Sequence, residues 1–152
     1  MSEERVSAEL RAEVAERARH CCEYCRSQAR FAMQAFSVEH VRPRSQQGKT
    51  SSDNLALACQ GCNNHKYNRT HAADPITGIV VPLFHPRTQR WQDHFCWNAD
   101  CTLIVGLTPT GRATVEALQL NRLGLVNLRR ILYEVGEHPP PEPETVSPGK
   151  PG

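Results

Sequence analysis

Two Cys-x-x-Cys pairs, Cys22 with Cys25 and Cys59 with Cys62, are separated by 33 residues, and they restrict the fold more than any other feature of the 152-residue chain. Each pair can sit on a tight knuckle with both sulfurs pointing inward. Two such knuckles satisfy tetrahedral Zn²⁺ with four soft thiolates. A site closed by four cysteines is structural, because no position remains for a reacting ligand. Cys21 offers a competing first knuckle, Cys21-x-x-x-Cys25, and Cys22 is preferred because its spacing matches the second pair. Seven cysteines cannot all pair, and residues 1–8 lack the basic start and apolar run of a secretory signal. The expectation is a cytoplasmic protein whose cysteines are metal ligands or free thiols. Cys96 and Cys101 lack the metal spacing and read as small core residues.

Around the knuckles the pattern is short and mixed. Residues 7–19 read as a helix, with Ser7 as cap, Glu9 in the first turn, and Leu10, Val14 and Ala18 spaced by four. Residues 36–41 alternate like a strand stopped near Pro43, 45–53 are polar loop, and 55–58 return as a second strand. A tight turn from Cys59 to Cys62 then leads into residues 63–70, long enough for about two helical turns. Beyond a turn sequence at 74–78, residues 79–84 and 102–105 read as extended, Thr108 and Pro109 open a helix, and 125–135 suggest a last one. Trp91, Phe95 and Trp97 read as core or lid residues. Residues 137–152 hold six prolines and almost no large apolar side chain, the composition of a disordered tail. The fold expected is α+β: one domain over 1–136, with a core at about 19–70, an extension at about 74–136, and then the tail. No apolar stretch approaches the roughly 18 residues of a membrane helix.

Global charge is uninformative, since four thiolates on Zn²⁺ would cancel the formal net charge of +2. Local charge says more. Between His40 and His71 stand Arg42, Arg44, Lys49, Lys66 and Arg69 against Asp53 alone, the mark of a basic surface. The same segment carries Glu39 and His40 at a strand end, Asn54 before the second strand, and Asn63, Asn64 and His65 after the second knuckle. A carboxylate beside a histidine, with an amide on a zinc-braced helix, can surround one hard cation and leave water and phosphate oxygens to complete an octahedron. Asn63 and His65 are two residues apart, about 200° around a regular helix, so only one of them can face that cation.

Cys22-x-x-Cys25, Val38-Glu39-His40-Val41-x-Pro43-x-Ser45, Asn54-Leu55-x-Leu57-x-Cys59-x-x-Cys62-Asn63 and Lys66 together resemble the HNH endonucleases of the ββα-metal fold, in the branch braced by four cysteines. The resemblance spans about residues 19–69. Residues 83–91, 93–95 and 106–114 are also similar to the extension of a subgroup of small bacterial HNH proteins. The resemblance implies metal-dependent hydrolysis of phosphodiester bonds, most simply in DNA, with a structural Zn²⁺ and a catalytic Mg²⁺ or Mn²⁺. It implies His40 as general base, Asn54 as the asparagine that holds the loop, and Asn63 as the final metal ligand; donor chemistry alone brings in His65, the weaker alternative, because imidazole is the stronger donor for transition metals. Glu39 takes the neighbouring ligand position, where the family most often has Asp, and its extra methylene moves the carboxylate outward. Arg42, Arg44, Lys66 and Arg69 are candidates for phosphate contact.

Two other motifs are weaker. Gly106-x-x-x-x-Gly111-Arg112-Ala113 sits where a phosphate-binding loop would, but Arg replaces its Lys and Ala its Ser or Thr. A cysteine nucleophile activated by His20 or His40 competes poorly, because zinc already accounts for the best-placed cysteines. The alternative to an enzyme is a zinc-stabilised nucleic-acid-binding module whose catalytic site has decayed.

Overall fold

The computed structural model describes residues 5–142. Ser7 begins helix α1 (Ala8–Arg17): its oxygen accepts from the Leu10 amide at 3.1 Å, satisfying one of the donors a helix start leaves open. Strands β1 (Ser37–His40) and β2 (Leu55–Ala58) form an antiparallel hairpin in which Val38 faces Leu57, Glu39 faces Ala56 and His40 faces Leu55. Side chains alternate across a sheet. Leu55, Leu57 and Val38 therefore pack with Val14 and Ala18 of the α1 segment, whereas Ala56 and Ala58 join the cluster that contains the cysteines of both knuckles.

Helix α2 (Gln60–Lys66) starts directly after β2, earlier than the pattern of residues 63–70 suggests. Its cap is a sulfur: Cys59 Sγ accepts from the Cys62 amide at 3.4 Å, so the second knuckle is the first turn of the helix. The loop between the strands contains two short 3-10 turns, Arg44–Gln46 and Ser52–Asn54.

The extension adds two more antiparallel pairs, β3 (His71–Ala73) with β4 (Val80–Pro82) and β5 (Phe95–Trp97) with β6 (Ile104–Gly106). It also adds helices α3 (Trp91–His94), α4 (Pro109–Ala117) and α5 (Leu123–Glu134). β3 has no alternating apolar signal in the sequence; it exists because β4 pairs with it. The turn between them is fixed by buried Asp74, whose two oxygens accept from Arg112 at 2.9 and 2.8 Å and also from Ile76 N and the Thr77 hydroxyl. The Arg112 guanidinium holds that carboxyl well below the usual carboxylate range. Arg112 is thereby occupied. A Cβ on Gly106 would collide with the Arg112 backbone and one on Gly111 with the His94 carbonyl, so the two glycines serve close packing of β6 on α4 rather than a phosphate-binding loop.

Phe84, at 2% exposure, joins the two parts of the chain. It meets Tyr24 of the first knuckle edge-on at 6.4 Å and Phe95 at 5.2 Å, while the Trp91 indole donates to the Tyr24 carbonyl at 3.0 Å. Trp91 and Phe95 are buried core residues and Trp97 is half-buried beside them. The boundary of the tail needs correction. Residues 137–142 belong to the packed structure, because His138 is buried with its ring edge-on to Trp97 and a nitrogen 2.8 Å from the Cys101 carbonyl, while Glu142 pairs with Arg26 at 2.9 Å. The rest of the expected tail, 143–152, lies outside the described residues. Among the described residues, no helix is long and apolar enough to cross a membrane.

Since Phe84 closes one core over knuckle and extension, Phe84→Ala should lower stability by about 3–5 kcal/mol while unfolding remains a single transition. Denaturant unfolding followed by both fluorescence and circular dichroism checks this. Two separated transitions would show that the parts fold independently.

Candidate functional site

The four sulfurs of Cys22, Cys25, Cys59 and Cys62 lie within 4.8 Å of one another, and all four residues are buried. Tetrahedral Zn²⁺ with bonds of about 2.3 Å needs sulfurs about 3.8 Å apart. Cys25 and Cys59 are already at 3.6 Å. The two knuckles repeat one geometry: the Cys25 amide points at Cys22 Sγ at 3.5 Å as the Cys62 amide points at Cys59 Sγ at 3.4 Å. Burial pushes the Cys22 thiol well above its ordinary value, whereas Cys59 is lowered because the other three thiols donate to it. Four thiols so arranged share protons that a divalent cation would displace, and the donor set fits Zn²⁺. Cys21 stays outside with its sulfur on the Arg19 carbonyl, and Cys96 and Cys101 take no part.

From this brace the hairpin carries the remaining candidates in two directions. His40, the last residue of β1, is half-buried with Nε2 2.8 Å from the Thr50 hydroxyl. Asn54 closes the loop that holds Thr50. Its amide accepts from Arg42 N at 2.9 Å and donates to the carbonyls of Arg42 at 3.0 Å and Lys49 at 2.9 Å, so one side chain joins both arms of the loop. Glu39 points to the other face. Its carboxylate is buried, accepting from the Tyr24 hydroxyl and from Lys66 Nζ at 3.2 Å. Burial raises the Glu39 pKa, opposed by the Lys66 charge and the Tyr24 hydrogen bond. Burial and the Glu39 charge in turn push the Tyr24 hydroxyl well up.

Lys66 is therefore not where a phosphate contact requires it. It is 1% exposed, and its ammonium is held by Glu39 and by the Val41 carbonyl at 2.8 Å. The physical reason is that a buried carboxylate on β1 demands a cation, and α2 supplies the nearest one. Asn63 is half-buried one turn into α2 and His65 is exposed. Arg42 is exposed with Nε on the Gln46 carbonyl, Arg44 is half-buried, and Arg69 bonds the carbonyls of His65 and Ala117, so its guanidinium ties α2 to α4. Among the described residues, the zinc knuckles are the one cluster of three or more His, Cys, Asp or Glu able to hold a metal. In this arrangement each Glu39 oxygen already accepts one hydrogen bond, from Tyr24 and from Lys66, and the adjacent Lys66 ammonium opposes a second cation there.

Sequence reasoning missed Tyr24, Thr50 and Glu23. Glu23 accepts from the Leu57 amide at 2.9 Å and pairs with Arg87, docking the first knuckle on β2 and on the extension. None of the three follows a spacing rule. Each acts through a partner more than nine positions away.

The family model for HNH endonuclease matches residues 22–69, from the first zinc-site cysteine to just beyond α2. Those residues match the HNH domain within a chain of mixed helices and small antiparallel sheets, and the four-cysteine cluster is consistent with the zinc-braced branch. Nuclease-related, nucleic-acid-directed function follows at that level. No curated protein matches the chain.

Lys66→Met keeps the buried stem but strands Glu39, and should cost about 3–5 kcal/mol near neutral pH. With the opposing charge gone, the folded-state pKa of Glu39 rises further above its ordinary 4.5. The protonated form is then favoured in the folded state, so the deficit relative to wild type should shrink as pH falls towards 4.5 and be full above the raised pKa. Parallel melts of both proteins across pH measure it. A deficit independent of pH would contradict the buried ion pair.

Proposed function

We propose that the protein is a metal-dependent HNH endonuclease that hydrolyses phosphodiester bonds in DNA, with His40 as general base. The observation that carries this reading is the placement of His40: at the end of a strand, its ring oriented by Thr50, in a loop whose two arms are joined by Asn54. A neutral imidazole can take a proton from water near neutral pH, and an oriented ring lowers the entropic cost of activating that water for attack on phosphorus.

The surroundings suit an anionic polymer. A groove of about 560 Å³ runs between the HNH loop and the extension, with Val41, Arg42 and Gln46 on one side and His71, His85 and Thr88 on the other. Among the described residues none of its lining is acidic. Burial, with Arg87 and Lys66 nearby, lowers the His85 pKa, so at neutral pH it acts as a neutral hydrogen-bonding group there. Arg42 and Arg44 remain the phosphate-contacting candidates of the loop. A divalent cation, Mg²⁺ or Mn²⁺, supplies charge neutralisation when bound, and this chain's donors for it are Asn63 and, less favoured, His65. Glu39 joins them only if Tyr24 and Lys66 release it.

That restriction favours a second reading, a zinc-stabilised nucleic-acid-binding module without catalysis. Supercoiled plasmid incubated with the full chain and Mg²⁺ or Mn²⁺ separates the two. The nuclease reading expects nicking that falls about 10²–10⁴-fold in His40→Ala, with zinc content and melting temperature unchanged. Plasmid retardation without nicking supports the binding module, and equal nicking by His40→Ala rejects His40 as base. In the same assay Asn63→Ala should raise the metal requirement more steeply than His65→Ala. The reverse order transfers the ligand role to His65.

A further inference from the structure

Arg122 lies between α4 and α5, far in sequence from both knuckles, yet its guanidinium covers the second one. One nitrogen stands 3.3 Å from Cys59 Sγ and 3.8 Å from Cys62 Sγ, and the other 3.7 Å from Cys62 Sγ. The second of these also donates to the carbonyls of Leu118 at 3.3 Å and Gln119 at 3.0 Å, the open end of α4. The knuckle is shaped to receive it: a Cβ on Gly61, between the two cysteines, would run into three atoms of the Arg122 guanidinium. Gly61 is the second residue of α2, and its missing side chain leaves the room that the guanidinium fills. Zn²⁺ with four thiolates carries a formal charge of −2 in a buried place, and a planar fork of N–H donors is the side chain suited to span two sulfurs at once.

We infer that Arg122 is the charge partner of the zinc site, so the carboxy-terminal extension, and not the two knuckles alone, holds the metal. This rests on zinc occupying the four cysteines. Sequence spacing cannot reveal it, because the contact crosses about sixty residues.

The test uses the full chain purified with Zn²⁺, titrated against a chelating indicator, with helix content followed by circular dichroism in excess Zn²⁺. Arg122→Ala should fold in excess Zn²⁺ and bind zinc about 10–100-fold more weakly than wild type. Arg122→Lys should fall between, because a lone ammonium keeps the charge but lacks the second nitrogen that bonds Cys62 Sγ and the carbonyls at the end of α4. Gly61→Ala should also weaken zinc binding, although alanine by itself favours the helix, because its methyl group displaces the guanidinium without removing its charge. Arg122→Ala and Gly61→Ala both binding zinc as wild type does would overturn the proposal. Failure of both to fold in excess Zn²⁺ would also overturn it, making Arg122 a packing residue. Wild-type protein that holds no zinc would reject the zinc site itself, a result distinguishable from either.

Discussion

Four buried sulfurs drawn into one small sphere are the interaction on which the rest of this molecule depends. The first knuckle has no strand or helix of its own to hold it, and its place is set by the second knuckle, by Glu23 on Leu57 and by the Trp91 bond to Tyr24. The second knuckle is at once the end of β2 and the capped start of α2, so fixing its sulfurs fixes the angle between hairpin and helix. A short hairpin and a seven-residue helix have too little apolar surface to hold that angle alone.

From that angle the chemistry of the strand end follows. Alternation along β1 sends Glu39 towards the knuckle and α2, where a carboxylate must find partners, and sends His40 towards the loop, where Thr50 meets it. Lys66 and Tyr24 neutralise and satisfy Glu39, and the Lys66 charge beside it opposes a second cation. The charge pattern is consistent across the molecule: Asp74 is matched by Arg112, Glu23 by Arg87, and Glu39 by Lys66, each pair joining segments that the chain order keeps apart.

Much of this was legible in the residues. The ordered cysteine pairs, the alternation before Pro43 and the Ser7 and Thr108 caps define the metal cluster, the hairpin and two helix starts with little need of tertiary information. The failures share one cause. α2 begins early because a sulfur caps it, β3 exists because β4 pairs with it, and residues 137–142 are ordered because His138 finds Trp97. Lys66 is buried because Glu39 is. Local propensity cannot report a partner supplied from elsewhere in the chain, and the roles of Tyr24, Thr50 and Arg122 are of that kind.

Zinc-edge X-ray absorption on the purified 152-residue chain tests the central claim most directly. The account predicts a single zinc environment of four sulfur scatterers at about 2.3 Å, with no nitrogen or oxygen in the coordination sphere. A coordination sphere containing an imidazole or a water, or a folded protein without zinc, would contradict it.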